Sequence, residues 1–194
     1  MSTLFLTEDD VAGLVSVPET IDILSTAFAE QTTGGATTLP RRRLATDRIF
    51  LHMLAGAVPG YFGYKTYATG RKKPQFYFHL FDSTTSDLIA IMQADALGQI
   101  RTGAATGLAT RLLSREDSDV ATLFGAGWQA RSQLLAMDAV RKLKKVWIVN
   151  RTPEKAAKFI ETMAPQVEAE LEAARSPEDA VRGSRIVTTI TGSR

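Results

Sequence analysis

The feature that most constrains this chain is the turn Gly125-Ala126-Gly127-Trp128-Gln129-Ala130, which follows an apolar run and precedes a helical pattern. Gly125 permits a tight turn, Gly127 lets the backbone approach a pyrophosphate, and Ala130 lets the helix pack close to the strand. The first amides of the helix, at its positive dipole end, then face the anion. In this context the motif predicts the phosphate-binding turn of a Rossmann-type dinucleotide domain.

The hydrophobic pattern predicts two regions with different architecture. Before residue 95 it indicates two helices and then five short antiparallel strands, and 95–113 is a long connecting helix. After residue 114 strands and helices alternate, which is typical of a parallel sheet; the run 167–173 is assigned as its third strand, although Glu and Ala there also suit a helix. We therefore expect an α/β protein with an N-terminal α+β domain at 1–113 and a Rossmann-type NAD(P)-binding domain at 114–194.

The sequence stops soon after the strand predicted at 186–191. A complete dinucleotide fold has about six strands, and only part of that sheet is built here. We therefore expect an incomplete Rossmann domain, cut from a longer polypeptide.

The residues that follow the second parallel strand discriminate between the two nicotinamide cofactors. An acidic residue at this point hydrogen-bonds the ribose 2′-hydroxyl of NAD, whereas basic and polar groups accommodate a 2′-phosphate. Here the tip is Asn150-Arg151-Thr152, with no carboxylate. NADP(H) is therefore favoured over NAD(H), although Arg151 would look the same if it only capped a surface loop.

Composition excludes several other classes of protein. The chain has no cysteine, so it has neither a thiolate nucleophile nor a Cys-containing zinc site, and we expect no metal. Its one dense basic cluster, Arg41-Arg42-Arg43 with Arg48, is accompanied by no nucleic-acid motif. No apolar stretch approaches the length of a membrane span, and no signal peptide precedes the first helix. We expect a cytoplasmic protein that binds neither nucleic acid nor membrane.

Four motifs in this order resemble the ornithine cyclodeaminase/mu-crystallin family: Gly63-Tyr64-Lys65, 100–105 (Ile-Arg-Thr-Gly-Ala-Ala), 124–130 (Phe-Gly-Ala-Gly-Trp-Gln-Ala) and Asn150-Arg151-Thr152. The resemblance implies an N-terminal substrate-binding and dimerisation region, a Rossmann domain, and a C-terminal segment that returns to the first region. It also implies a homodimer and hydride exchange between NAD(P) and the α-carbon of a small amino or imino acid.

The resemblance assigns roles to individual residues. Arg42, Lys65 and Arg101 would hold the substrate carboxylate, and Lys65 would also be catalytic by delivering a proton. Thr102 and Thr191 would join the turn 125–130 and the tip 150–152 in binding the cofactor.

The residues themselves support these roles in part. Arg101 shares a predicted apolar helix face with Leu97 and Ala105, where a buried guanidinium needs an anion, supplied either by substrate or by an internal carboxylate. Without the family resemblance, we would expect Lys65 to be an ordinary lysine on a strand, with its ammonium in solvent. Arg42 lies between Arg41 and Arg43, so a shift of one residue would change its assignment.

His52 narrows the choice of substrate. It stands near the position where ornithine cyclodeaminases have an acidic residue for the second substrate amine, and it would serve a cation poorly; it could equally be an ordinary strand residue. We expect an NAD(P)-dependent reductase or dehydrogenase of a small imino or amino acid, such as pyrroline-2-carboxylate or an alanine-type substrate. The alternatives are an ornithine cyclodeaminase and a non-catalytic NADPH-dependent binding protein like mu-crystallin. The acid that many members use for proton transfer would lie beyond Arg194.

Overall fold

The computed structural model describes residues 2–192, which form two compact units. Unit 1 contains the residues up to Ser16 together with Ile23–Gly98, and unit 2 contains Val17–Asp22 together with the residues from Gln99 onward. The domain boundary after residue 113 stays a prediction. No single helix among the described residues is long and apolar enough to cross a membrane, although the bent pair Glu8–Leu14 and Val17–Thr33 passes that test by length and composition.

Unit 1 is built around a six-stranded sheet with the strand order β1-β6-β5-β4-β3-β2. Five neighbouring strands, β2 to β6, form an antiparallel meander, and the predicted antiparallel strands are thereby confirmed. The elements up to the sheet's last strand are β1 (Leu4–Leu6), α1 (Glu8–Leu14), α2 (Val17–Thr33), β2 (Thr37–Ala45), β3 (Phe50–Val58), β4 (Tyr61–Thr69), β5 (Phe76–Asp82) and β6 (Leu88–Gln93).

The sequence analysis missed strand β1, which pairs parallel with β6 through Leu4 and Ala90. Three residues are too few to show a strand's alternation, and the partner lies more than eighty residues away. The Thr3 hydroxyl donates to the Leu88 carbonyl at 2.9 Å and helps to hold this register. Strand β1 is therefore defined by its partner and not by its own pattern.

Helix α1 begins at a capping box in which Thr7 and Asp10 bond each other's backbone. Its first residue, Glu8, then uses its carboxylate to accept from the backbone N–H groups of Asp95 and Ala96, each at 2.8 Å. Those amides open α3 (Asp95–Leu113) and have no partner within their own helix. The Glu8 carboxylate thus serves as the cap of a helix that lies far away in the sequence.

Unit 2 carries a four-stranded parallel sheet with the order β10-β7-β8-β9. The predicted alternation of strands and helices is confirmed, and the third strand falls at Glu170–Ala173. The elements after α3 are β7 (Val120–Phe124), α4 (Trp128–Val140), β8 (Lys145–Val149), α5 (Pro153–Met163), a 3-10 turn (Ala164–Gln166), β9 (Glu170–Ala173), α6 (Pro177–Arg182) and β10 (Ile186–Thr189). Apolar side chains from strands and helices fill its core, including Leu123, Leu134, Met137, Val146 and Ile148.

Helix α3 buries a face made of small residues, and this corrects the expectation that Arg101 is buried. A side chain added at Gly103 would lie 2.4 Å from the Ser132 carbonyl oxygen, and one at Gly107 would lie 2.6 Å from Ile21 Cδ1. Close backbone contact therefore selects the buried face, and Leu108 is the one leucine of the helix that is buried on it. Arg101 is exposed, and Leu112 at the end of the helix is 70% exposed.

Candidate functional site

The turn between β7 and α4 lies at the carboxyl edge of the parallel sheet in unit 2. The Gly125 N–H donates to the Val149 carbonyl at 2.8 Å, and the Ile190 N–H donates to the Phe124 carbonyl at 2.8 Å. The ends of three neighbouring strands are therefore joined by backbone hydrogen bonds. Ligands of open α/β sheets bind at this edge, in the crevice outside the carboxyl ends of the strands.

The two glycines of the turn have different physical roles. Gly125 adopts φ +116°, and a Cβ there would lie 2.6 Å from the Ile190 carbonyl oxygen, so only glycine fits. Gly127 has an extended conformation, and a Cβ there would meet nothing within 4 Å. Of these two positions, only 125 requires glycine for the fold. The space above Gly127 is open to a ligand.

Helix α4 begins at Gly127 without a side-chain cap and without an acidic residue in its first turn. Its first amides are therefore left for an outside acceptor, and the positive end of the helix dipole favours an anion. Ala130 is fully buried, which lets the helix lie against the sheet, and Ala126 packs at the edge of the same core. The arrangement fits the pyrophosphate of a dinucleotide.

The two side chains that follow the turn flank the start of α4. Trp128 is 48% exposed and has the Arg131 guanidinium 5.5 Å from its ring centroid. The Gln99 amide donates to the Trp128 carbonyl. Gln129 places its side-chain oxygen where water cannot reach it, and no hydrogen-bond partner for that atom occurs within residues 2–192. A buried oxygen without a hydrogen-bond donor is unusual, so a ligand bound at this sheet edge is expected to supply one.

The tip after β8 stands at the same sheet edge. The Asn150 amide donates to the Thr152 carbonyl at 2.9 Å and rigidifies the tip, while Thr152 precedes α5 without capping it. Arg151 is exposed, and none of the ion pairs between residues 2 and 192 uses it. Thr191 follows Ile190 just beyond β10, and Thr102 is half-buried on α3. Unit 2 thus brings the predicted turn, tip and Thr191 to one edge.

Lys65 lies in unit 1, in the middle of β4, where it pairs across the sheet with Leu54 and Phe78. It is half-buried, and its Nζ lies 5.1 Å from the ring centroid of Phe76 and 5.7 Å from that of Tyr67. A cation over aromatic faces is stabilised by their negative π clouds. The ammonium is thus held at a partly dry position, where a carboxylate gains more from it than in bulk water.

His52 shares the Lys65 face of the sheet and is 8% exposed. Its ring stacks on Tyr67 at a centroid distance of 4.4 Å, and its Nε2 lies 2.8 Å from the Thr69 hydroxyl. Burial, followed by the charges of Arg43 and Arg41, lowers the pKa of the His52 imidazole. With its pKa lowered, the His52 imidazole adds no positive charge at neutral pH to the sheet face that carries Lys65 and Arg43.

The arginine cluster of β2 is split between the two faces of the sheet. A bulge follows Leu39, after which Arg42 stands opposite Met53 and Arg43 stands opposite His52. Directly opposed residues project from the same face, so Arg43 shares the face of Lys65 and Arg42 projects from the other. The role of Arg42 at a substrate carboxylate stays a prediction, and Arg43 is a neighbour that the sequence motif did not single out.

The lowered pKa of His52 predicts a pH-dependent stability. Below about pH 6.5 the unfolded chain protonates this imidazole while the folded chain resists, so the free energy of unfolding should fall as the pH falls. Urea unfolding at pH 7.5 and 5.5 should show a smaller loss in His52→Gln than in the wild type. Equal losses in the two proteins would contradict the prediction.

No group of three or more His, Asp or Glu side chains that could hold a metal ion occurs in the described part of the chain. The described residues offer an uncapped helix start in unit 2 and a lysine ammonium over aromatic rings in unit 1.

Several known proteins are similar to this chain in sequence and in fold. The chain is 32% identical over 124 residues to the Delta(1)-pyrroline-2-carboxylate reductase of Bacillus cereus, a match that covers 64% of this chain and 38% of the relative. The solved Thermococcus litoralis Delta(1)-pyrroline-2-carboxylate reductase, in complex with NADH and L-proline, is similar with a TM-score of 0.88 and 28% identity. It covers 96% of this chain, which matches 61% of that structure.

An archaeal alanine dehydrogenase dimer with bound NAD is also similar, with a TM-score of 0.88, 27% identity, and coverage of 98% of this chain and 61% of that one. The chain thus spans about three fifths of the solved structures that it matches. The model of the ornithine cyclodeaminase/mu-crystallin family matches residues 1–194. Sequence, fold and turn geometry agree, and the chain belongs to the ornithine cyclodeaminase/mu-crystallin family.

Proposed function

We propose that this protein is an NAD(P)-dependent reductase of a small imino acid. The observation that carries the proposal is the open, uncapped start of α4 at Gly127, which leaves amides for a pyrophosphate. The reaction would add hydride to the carbon of a C=N bond and a proton to its nitrogen, giving an amino acid and oxidised cofactor. The similar Delta(1)-pyrroline-2-carboxylate reductases support this class of substrate, and the similar alanine dehydrogenase supports the same chemistry on an open-chain acid.

The cofactor would be held at the sheet edge of unit 2. The amides of 127–129 would bind the pyrophosphate, and a ribose hydroxyl of the dinucleotide would donate to the buried Gln129 side-chain oxygen. Arg151, which has no carboxylate partner in residues 2–192, would pair with a 2′-phosphate, so we propose NADP(H) over NAD(H). A bound nicotinamide supplies the hydride.

Lys65 would be the substrate residue of unit 1. Its ammonium would bind the imino acid's carboxylate, and the Tyr67 and Phe76 rings would keep water from one side of that ion pair. Fixing the carboxylate orients the C=N carbon, and such alignment supplies a large part of an enzymatic rate. Lys65 is also the proposed proton donor to the nitrogen. Arg101 remains a proposed carboxylate ligand by family resemblance. Arg42 carried the same expectation, but it projects from the opposite face of the sheet and is not placed to share a carboxylate with Lys65.

The proposed partner is a second copy of this chain. The face of the unit 1 sheet opposite to Lys65 carries exposed apolar side chains, namely Leu39, Leu44, Met53, Phe62 and Tyr64. A contiguous apolar face of this kind marks an interaction surface, and one similar structure is a dimer. A monomeric mass of the purified protein in light scattering would contradict the proposal.

The activity test measures oxidation of NADPH and NADH with pyrroline-2-carboxylate, piperideine-2-carboxylate, and pyruvate plus ammonia. We expect oxidation with at least one of these, and a loss of at least about 100-fold in kcat/KM for Lys65→Met, because a charge-assisted contact and a proton donor are both removed. Arg151→Glu should lower the preference for NADPH over NADH by at least about tenfold.

Two results would contradict the proposal. Formation of proline and ammonia from ornithine, with no net cofactor consumption, would identify a cyclodeaminase. Tight NADPH binding without turnover of any of these acids would indicate a binding protein. The Lys158→Ala variant, which removes an exposed lysine on α5, controls for loss of positive charge and should behave as the wild type.

Substitutions at the two glycines of the turn test cofactor binding and fold stability separately. Gly127→Val should leave the thermal midpoint nearly unchanged, because the space above it is open, but should weaken NADPH binding by at least about tenfold by filling the phosphate position. Gly125→Ala should lower the thermal midpoint by several degrees, because its φ is +116° and a Cβ would meet the Ile190 carbonyl. Unchanged NADPH affinity in a folded Gly127→Val protein would place the cofactor elsewhere.

A further inference from the structure

Helix α4 carries a single basic residue, Arg131, which lies about one turn after the uncapped start of the helix. Side chains of a helix tilt toward its N-terminus, and residues three positions apart share a face. The Arg131 guanidinium accordingly lies over the Trp128 ring, 5.5 Å from the ring centroid. Because Trp128 is the first residue of α4, this contact places the guanidinium beside the first turn of the helix.

This position is unfavourable for a cation in the protein by itself. The positive end of the helix dipole disfavours a guanidinium near the helix start. The first turn of α4 holds no acidic residue, and none of the ion pairs within residues 2–192 involves Arg131. The Trp128 ring offsets part of the cost, since the face of an indole attracts a cation. The N–H donors of Arg131 are left for an acceptor from outside the chain.

The backbone that carries this pair of side chains is fixed by helix α3. The Gln99 side-chain amide donates to the Trp128 carbonyl, and Gly103 of the same helix packs against the backbone of Ser132 on α4. Both contacts lie within unit 2. The Trp128 ring is 48% exposed and Arg131 is also exposed, so a ligand at the sheet edge can reach both side chains.

The guanidinium and the uncapped amides lie at the same end of α4. A Cβ at Gly127 would meet nothing within 4 Å, so a phosphate can approach the helix start there. The amides would contact the phosphate along the helix axis, and the Arg131 guanidinium would contact it from the side through paired N–H donors. The buried side-chain oxygen of Gln129, which lacks a donor, favours a ligand that carries hydroxyl groups beside its phosphates.

We propose that Arg131 is a further cofactor-binding residue, whose guanidinium binds the pyrophosphate of the dinucleotide while the Trp128 ring supports it. The inference rests on the proposed function, because the start of α4 must receive the pyrophosphate. It gives Arg131 and Arg151 different phosphates, since the tip after β8 would face the adenosine ribose, whereas Trp128 belongs to the turn. The pyrophosphate is common to both cofactors, so Arg131 contributes equally to the binding of NADPH and NADH.

The test measures the dissociation constants of NADPH and NADH by calorimetric titration of the purified protein. Arg131→Ala should weaken the binding of both by the same factor, at least about tenfold, because a charge-assisted contact to a shared group is lost. Arg131→Lys should keep part of the affinity, since an ammonium retains the charge but not the paired donors. Lys158→Ala should bind both cofactors as the wild type does. The thermal midpoint of Arg131→Ala should stay close to that of the wild type, because the side chain is exposed and forms no ion pair within residues 2–192.

A double-mutant cycle tests the supporting role of Trp128. Trp128→Leu should weaken NADH binding several-fold, because the ring no longer holds the guanidinium, and Trp128→Phe should keep most of the affinity. In the Arg131→Ala background, Trp128→Leu should have no further effect on the dissociation constant, since the two side chains act through one contact. Additive losses would show that Trp128 binds the cofactor independently and would contradict its role as the support of Arg131.

The results also separate this inference from the proposed function. Unchanged affinity for both cofactors in Arg131→Ala would overturn the inference and leave the reductase. A loss confined to NADPH would assign Arg131 to the 2′-phosphate and overturn the pyrophosphate contact. Binding of both cofactors that depends equally on Arg131, in a protein that reduces no imino acid, would support the inference and contradict the reductase.

Discussion

The architecture of unit 2 depends on one steric constraint, the close approach of the Gly125 backbone to the Ile190 carbonyl. A residue with φ +116° and no room for a Cβ can only be glycine. That contact lets β7 end in line with β8 and β10, through the Gly125 to Val149 and Ile190 to Phe124 hydrogen bonds. It also aims the start of α4 across the sheet edge, where its uncapped amides are left for a ligand. The proposed phosphate position thus follows from how three strands end.

Much of this could be predicted from the sequence, because the signals were local. The bounds of β7, α4 and α5 follow from an apolar run, two glycines and Pro153, all of which act on their immediate neighbours. The predictions that failed were those that depend on contacts between residues far apart in the sequence. Strand β1 is defined by β6, and the buried face of α3 is defined by the backbone of α4, which approaches Gly103 closely. The spacing of large apolar residues does not register glycines that pack closely against a neighbour. For this reason the sequence analysis assigned Arg101 to the buried face of α3.

The site residues show the same division. The turn and the tip could be placed together from sequence because carboxyl ends of parallel strands meet at one edge. The faces of the β2 arginines could not, because a bulge after Leu39 changes which of them stands opposite His52. Bulges leave little trace in a single sequence, since they are fixed by pairing and not by composition.

The run of three arginines in β2 has a consequence for how this strand tolerates change. In most half-buried strands the loss or gain of one residue exchanges the two faces and places a wrong side chain on each. Here Arg41, Arg42 and Arg43 are consecutive, so a deletion or insertion of one residue beside the bulge still leaves a guanidinium opposite His52 and another on the reverse face. The repetition gives β2 mutational robustness against length variation, and related sequences could shift the bulge without losing positive charge on either side.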